Sequence, residues 1–270
     1  MPDELITSTH NPKVKQLLAL QQKSSLRRET GLFVVEGARE LEHCLEGGFE
    51  LDTVFFCPEL ADEPILKLIK AGTSGHKAPG MFALSREVYE KVAYRESTEG
   101  IIAEVRCKER RLSNLKLGNN PLVMVLESVE KPGNLGAILR SADAAGADAL
   151  IVCDPLTDIY NPNIIRSSIG AFFTVPVAVC SSEEAIKFLK DKNIQILTAQ
   201  LQDSSYYYDT DMRRGTALVM GTESTGLTEI WRQAADAHIL IPMLGKLDSL
   251  NVSVSAAVLL YEAVRQRKQK

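Results

Sequence analysis

Six apolar runs in the second half of the chain constrain its fold most: Leu122–Leu126, Ala149–Val152, Val175–Val179, Ile194–Ala199, Ala217–Met220 and His238–Ile241. A strand with one wet face alternates apolar and polar residues, so continuous runs mark strands buried on both faces. Helical segments near 134–145, 163–170, 182–190 and 228–235 fall between them. This alternation predicts a mostly parallel sheet with helices on both sides. The last segment, from about Asn251 to Arg267, is apolar nearly all round for its first three turns. Such a helix needs cover on every side, from a central core or from a subunit interface.

The first hundred residues alternate more briefly. Asn11-Pro12 starts a helix, with Asn as cap and Pro at the first helical position. Strands are expected at Leu32–Val35, Leu51–Cys57, Gly80–Leu84 and Gly100–Val105, with helices over Ala38–Leu45, around Ile65–Ile69 and from Ser85 to about Tyr94. That pattern predicts a smaller α/β domain over 1–106. A charged, then Gly/Asn-rich stretch at 107–120 has few residues suited to a core and reads as a linker, leaving 121–270 as the second domain.

Composition excludes several classes. With 270 residues, 45% hydrophobic and 24% charged, the chain is globular and long enough for two domains. No run approaches the roughly 18 apolar residues of a membrane span. The start, Met1–Thr7, lacks the basic and apolar regions of a secretory signal. The five cysteines form no CxxC pair, and the four histidines have no metal-ligand spacing. The expectation is a reduced, cytoplasmic protein without a metal.

Three segments of the second domain could carry chemistry. Lys131-Pro-Gly-Asn-Leu-Gly136 turns from a strand into a helix that also holds Arg140, and its free backbone N–H groups suit an anion. Met220-Gly-Thr-Glu-Ser-Thr-Gly226 ends an apolar strand, where open α/β sheets bind ligands. Ile241–Ser253 crowds Ser249, Asn251 and Ser253 at the entrance to the apolar final helix, and Ser249 or Asn251 can cap it. Taken alone, the first two segments are more often ordinary turns, and capping accounts for one polar residue of the third.

In order, NLGAILRSADAAG, GTESTG and IPMLGKLDSLNVSVSAA resemble the three motifs of the SpoU, or TrmH, branch of the SPOUT RNA methyltransferases. The likeness runs over about Leu122–Arg267 and includes Asn161–Gly170, while residues 5–106 resemble a substrate-binding domain similar to ribosomal protein L30e. The resemblance implies a C-terminal trefoil-knot domain and methyl transfer from S-adenosyl-L-methionine to a ribose 2′-hydroxyl of RNA, most readily rRNA. It implies that Gly221, Ile241, Met243 and Leu250 lie on the cofactor-binding loops. It assigns catalysis to Arg140, with Asn134, Glu223, Ser249 and Asn251 positioning it and the ribose. It also implies a homodimer that completes the site across its interface.

A net charge of −4 argues against a bulk electrostatic grip on RNA. Local basic clusters oppose that total: Lys13, Lys15, Lys23, Arg27 and Arg28 near the start, and Arg106, Lys108, Arg110, Arg111 and Lys116 around the linker. The same layout suits a tRNA-directed or antibiotic-resistance rRNA 2′-O-methyltransferase. From another class, it suits a catalytically inactive RNA-binding ribosome-assembly factor.

Overall fold

The structure, a computed structural model, describes residues 5–72, 78–94, 99–222, 225–247 and 249–268. The chain divides into two units, one formed by Met1–Glu109 with Tyr160–Thr174 and the other by Arg110–Ile159 with Val175–Lys270.

The first unit runs β1 (Leu5–Ile6), α1 (Pro12–Gln22), α2 (Ser24–Thr30), β2 (Leu32–Glu36), α3 (Ala38–Glu46), β3 (Leu51–Phe56), α4 (Glu63–Gly72), β4 (Gly80–Leu84), α5 (Arg86–Val92) and β5 (Ile101–Arg106). Its sheet has the order β1-β4-β3-β5-β2, with β5 antiparallel to both neighbours. Asn11 caps α1 as expected, its side chain accepting from Lys13 N, with Pro12 at the first helical position. Val14, Leu17 and Leu20 line one side of α1 and enter a core with Val34, Phe55, Leu84, Tyr89 and Ile102.

The second unit begins with β6 (Leu122–Glu127), α6 (Pro132–Ala145) and β7 (Ala149–Cys153). The next two helices, α7 (Pro162–Ser168) and α8 (Ala171–Thr174), belong to the first unit. There Phe172 and Phe173 join Phe33, Phe49 and Tyr160 in a ring cluster, with Phe33 and Tyr160 centroids 4.7 Å apart. The second unit resumes with β8 (Val177–Cys180), α9 (Ser182–Asp191), β9 (Gln195–Ala199), β10 (Ser205–Tyr206), β11 (Thr216–Met220), α10 (Glu229–Ala234), β12 (Ala237–Leu240) and α11 (Val252–Lys268).

The seven strands of this unit pair in parallel throughout, in the order β10-β12-β9-β11-β6-β7-β8. One face packs Val123, Val125, Ile151, Ile196 and Val219 against Leu189 of α9 and Trp231 of α10. On the other face α6 and α11 pack on the sheet and on each other. Two covered faces explain why β6, β7 and β11 are buried along their whole length and why their sequences do not alternate.

The stretch 107–120 departs from the expectation of a tether with little to bury. Leu115 is buried in the core cluster of the second unit, and Leu112 and Leu117 pack against it. The Arg110 carbonyl accepts from Val179 N at 2.6 Å, which fastens the stretch to β8. The charges in this segment hid three leucines with a common destination.

α11 buries Ala256, Leu259, Leu260 and Ala263 while Val254 and Tyr261 stay 48% and 51% exposed. Within one chain, the cover its sequence demands is therefore half supplied. Among the described residues, no helix is long and apolar enough to cross a membrane.

Candidate active site

The carboxyl ends of β9, β11 and β12 lie side by side and open into a cleft of about 500 Å³. Ala199 and Gln200 follow β9, Met220 and Gly221 close β11, and Leu240 and Ile241 close β12. Met243, Ser249, Leu250, Asn251, Val252 and Ser255 complete the wall from the approach to α11 and its first turn. Parallel strands end their hydrogen-bonded ladder at this edge, so loops there offer unpaired backbone groups to a ligand.

Gly221 is where the chain comes closest to itself. A Cβ on it would sit 2.3 Å from the Gly226 carbonyl carbon and 2.5 Å from Leu227 N, so only glycine fits. Gly226 has φ +69°, in the left-handed region that favours glycine. Gly226 N donates to the Thr222 carbonyl at 3.1 Å, and Thr225 N donates to Thr222 Oγ1 at 3.0 Å. These bonds fold the segment back over the end of β11.

The asparagines from the first and third motifs meet. Asn134 lies in the first turn of α6, after Pro132 at the helix start. Asn251 Nδ2 donates to its Oδ1 at 3.2 Å. The other end of Asn251 caps α11: its Oδ1 accepts from Ser253 N at 2.9 Å and from Ser253 Oγ at 2.6 Å. Of the two candidate caps, Asn251 holds the helix and Ser249 lies on the cleft wall. Asn134 lines a small adjoining recess that shares Gly221, Thr222 and Val252 with the cleft.

The SpoU rRNA Methylase family matches residues 121–261, and an MRM3-like substrate binding domain matches residues 11–103. The chain belongs to the SpoU rRNA methylase family. It is 30% identical to a 23S rRNA (uridine(2479)-2′-O)-methyltransferase of Streptomyces viridochromogenes, over 96% of this chain and 92% of that one. It is 28% identical to the 23S rRNA (guanosine(2553)-2′-O)-methyltransferase RlmP of Bacillus subtilis, over 95% and 97%. The crystal structure of an AdoMet-bound rRNA methyltransferase from Sinorhizobium meliloti superposes with a TM-score of 0.88 at 27% identity, covering 97% of each chain. The α/β fold with a mostly parallel sheet and an N-terminal substrate-binding domain is that of this family.

Against the family pattern, Gly221, Ile241, Met243, Leu250, Ser249 and Asn251 surround one cleft, and Asn134 is bonded to it. Arg140 is exposed on α6 and is not among the cleft-lining residues. Six residues past Asn134, it points about 120° away around the helix axis. Glu223 lies outside the described residues.

Beside the SpoU motifs, a buried carboxylate sets the geometry. Glu127, the last residue of β6, accepts from Thr228 N at 2.8 Å and from Thr228 Oγ1 at 2.5 Å. Ser182 Oγ lies 3.3 Å from Glu127 Oε1 and 2.7 Å from Asp154 Oδ2, and it accepts from Trp231 Nε1 at 3.0 Å. Thr228 follows Leu227 of the cleft wall, so Glu127 pins the wall to the sheet. In sequence Glu127 is one acidic residue ending an apolar run, with nothing to mark its partner 101 positions away.

Proposed function

We propose that this protein is an S-adenosyl-L-methionine-dependent 2′-O-ribose methyltransferase acting on ribosomal RNA in the cytoplasm. The observation that carries the reading is the Asn134–Asn251 hydrogen bond beside a mostly apolar cleft at the strand ends. The cleft fits the cofactor: Gly221 leaves room where a Cβ would collide with backbone, and the wall is mostly apolar with main-chain groups exposed at the strand ends. When bound, the cofactor supplies a methyl group activated by a sulfonium. Ile241, Met243 and Leu250 offer apolar contacts and main-chain groups to its adenosine. Asn134, Ser249 and Asn251 orient the ribose so that its 2′-oxygen approaches in line, a positioning worth several orders of magnitude in rate.

Arg140 holds the phosphate next to the target ribose and stabilises the negative charge that builds on the 2′-oxygen as its proton passes to that phosphate or to water. A guanidinium, with pKa above about 12, gives up its proton too reluctantly to make an unaided base at neutral pH. Its exposed position on α6 suits supply of this group to the cleft of a second copy, and the half-covered α11 suits the same homodimer. The residues matched by the substrate-binding domain would hold the RNA. Lys13, Lys15, Lys23 and Arg28 are exposed there, whereas Arg27 is buried and donates to the Leu20 carbonyl, which removes it from the basic cluster.

The test is transfer of a labelled methyl group from S-adenosyl-L-methionine to rRNA or ribosomal subunits from cells lacking the gene. The expected product is a single new 2′-O-methylated nucleotide. Cofactor binding without transfer to any ribosomal substrate would favour the inactive assembly-factor reading. Arg140→Lys separates roles: a loss on the order of a hundredfold in kcat is expected for a bidentate clamp, and near-normal activity would exclude it.

A further inference from the structure

Cys153 ends β7, Cys180 ends β8, and the two are register partners at the last rung of that parallel pair. Register partners on neighbouring strands point to the same face, with Cα atoms about 4.8 Å apart, inside the roughly 4.4–6.8 Å that a disulfide spans. Both side chains accordingly join one core cluster, on the face that α9 and α10 cover. Their thiols share a hydrogen bond. The other three cysteines, Cys44, Cys57 and Cys107, belong to the first unit.

The pair is asymmetric. Cys153 is buried, and its hydrogen bond with Cys180, together with that burial, pushes its thiol well above the usual range. Cys180 is partly exposed. The thiolate is the nucleophile, so a reaction with a solvent-borne oxidant starts at Cys180 and not at Cys153. Both cysteines adjoin a polar network. Asp154, the residue after Cys153, accepts through Oδ2 from Ser182 N at 3.0 Å and from Ser182 Oγ at 2.7 Å. Ser182, two residues after Cys180, in turn accepts from Trp231 Nε1 at 3.0 Å and lies 3.3 Å from Glu127, the acceptor for Thr228.

We propose that Cys153 and Cys180 are a reversible disulfide-forming pair, oxidised by hydrogen peroxide and reset by a dithiol, whose closure shifts the network of Asp154, Ser182 and Trp231. One peroxide oxygen passes to the Cys180 sulfur, giving a sulfenic acid and one water. The Cys153 sulfur then attacks the Cys180 sulfur. The S–S bond forms, the S–O bond breaks, and the Cys153 proton leaves with the hydroxyl as a second water. The protein loses two hydrogens and the peroxide is reduced to water. A dithiol returns both hydrogens by exchange and is itself oxidised to a disulfide. Covalent sulfurs lie closer than hydrogen-bonded ones, so closure draws the ends of β7 and β8 together. Asp154 and Ser182 follow those ends directly, which carries the shift to Trp231.

Peroxide treatment of the folded full-length chain tests it, followed by acid quench, alkylation of the remaining thiols and peptide mapping by mass spectrometry. The expected product is a peptide pair joined through Cys153 and Cys180, lighter by two hydrogens and lost again after dithiothreitol. Trp231, the single tryptophan of the chain, reports on the network, and its emission should fall on oxidation and recover on reduction. In Cys153→Ser, Cys180 should stop at the sulfenic acid, trapped by dimedone, with Trp231 emission nearly unchanged. In Cys180→Ser, Cys153 should stay reduced. Failure of the wild-type pair to link at a peroxide dose that oxidises Cys107, or a link from Cys180 to a different cysteine, would overturn the pairing. A Cys153–Cys180 link that leaves Trp231 emission as it was would overturn the coupling to the network.

Discussion

Asn251 Nδ2 donates to Asn134 Oδ1 at 3.2 Å, linking the start of α11 to the first turn of α6 across 117 positions. One side chain thus does two jobs, because its Oδ1 caps α11 through Ser253. Asn251→Ala should lose both: about 1 kcal/mol of stability from the cap, and on the order of a hundredfold in kcat. Asn251→Asp keeps a cap acceptor and loses the Nδ2 donor. Its thermal unfolding should return to near wild type while methyl transfer stays impaired. Recovery of both by Asp would mean that the bond to Asn134 is irrelevant to the reaction.

Glu127 should behave as a structural pin with a functional readout. Replacing it by Ala leaves Thr228 N and its hydroxyl without their acceptor and should cost roughly 1–3 kcal/mol in denaturant unfolding. Because Thr228 adjoins the cleft, S-adenosylhomocysteine affinity should fall as well, and Glu127→Asp should restore part of each. An unchanged affinity in a destabilised variant would detach the pin from the site.

Glu104 gives the first unit a pH dependence. It lies buried on β5, with Oε2 accepting from Gln16 Nε2 at 3.0 Å and Oε1 unmatched. Burial, with the charge of Asp52 nearby, pushes its carboxyl up to about 7, against weaker opposing effects from Lys13 and Gln16. The folded state therefore keeps a proton that the unfolded chain releases near 4.5. This contribution is full below pH 4.5 and fades as pH rises through about 7. Glu104→Gln should leave stability near pH 4 unchanged relative to wild type and raise it at pH 8, by a few kcal/mol at most. No gain at pH 8 in thermal melts would contradict the buried-proton account.

The exposed apolar side of α11 gives an oligomer test. Val254→Glu puts a charge on a surface that is 48% exposed in the single chain. If a second copy covers it, sedimentation should show a shift toward monomer, and methyl transfer should fall with it. A variant that keeps wild-type mass and activity would place the interface elsewhere.

Much of the second unit was legible because both faces of its sheet are covered. The runs expected at Leu122–Leu126 and Ala217–Met220 became β6 and β11 with ends moved by one residue. What escaped was short or depended on a distant partner. β1 and β10 have two residues each, too few for any period to register. The helix expected near 163–170 exists, but pattern alone did not show that it packs with the first unit. Around the cleft, ordered motifs led to Asn134, Gly221, Ser249 and Asn251, whereas Glu127 carries no motif and emerges only from what it touches.

By itself, the sequence determined the parallel architecture, the order of the motif segments and the glycines that a tight turn requires, because burial and backbone sterics leave local traces. The tertiary structure decided that Asn251 rather than Ser249 caps α11, that Asn134 and Asn251 meet, that 107–120 is packed, and that Glu127 pins Thr228. Periodicity reports that a residue is buried; only the packing of strands and helices far apart in the chain chooses its neighbour.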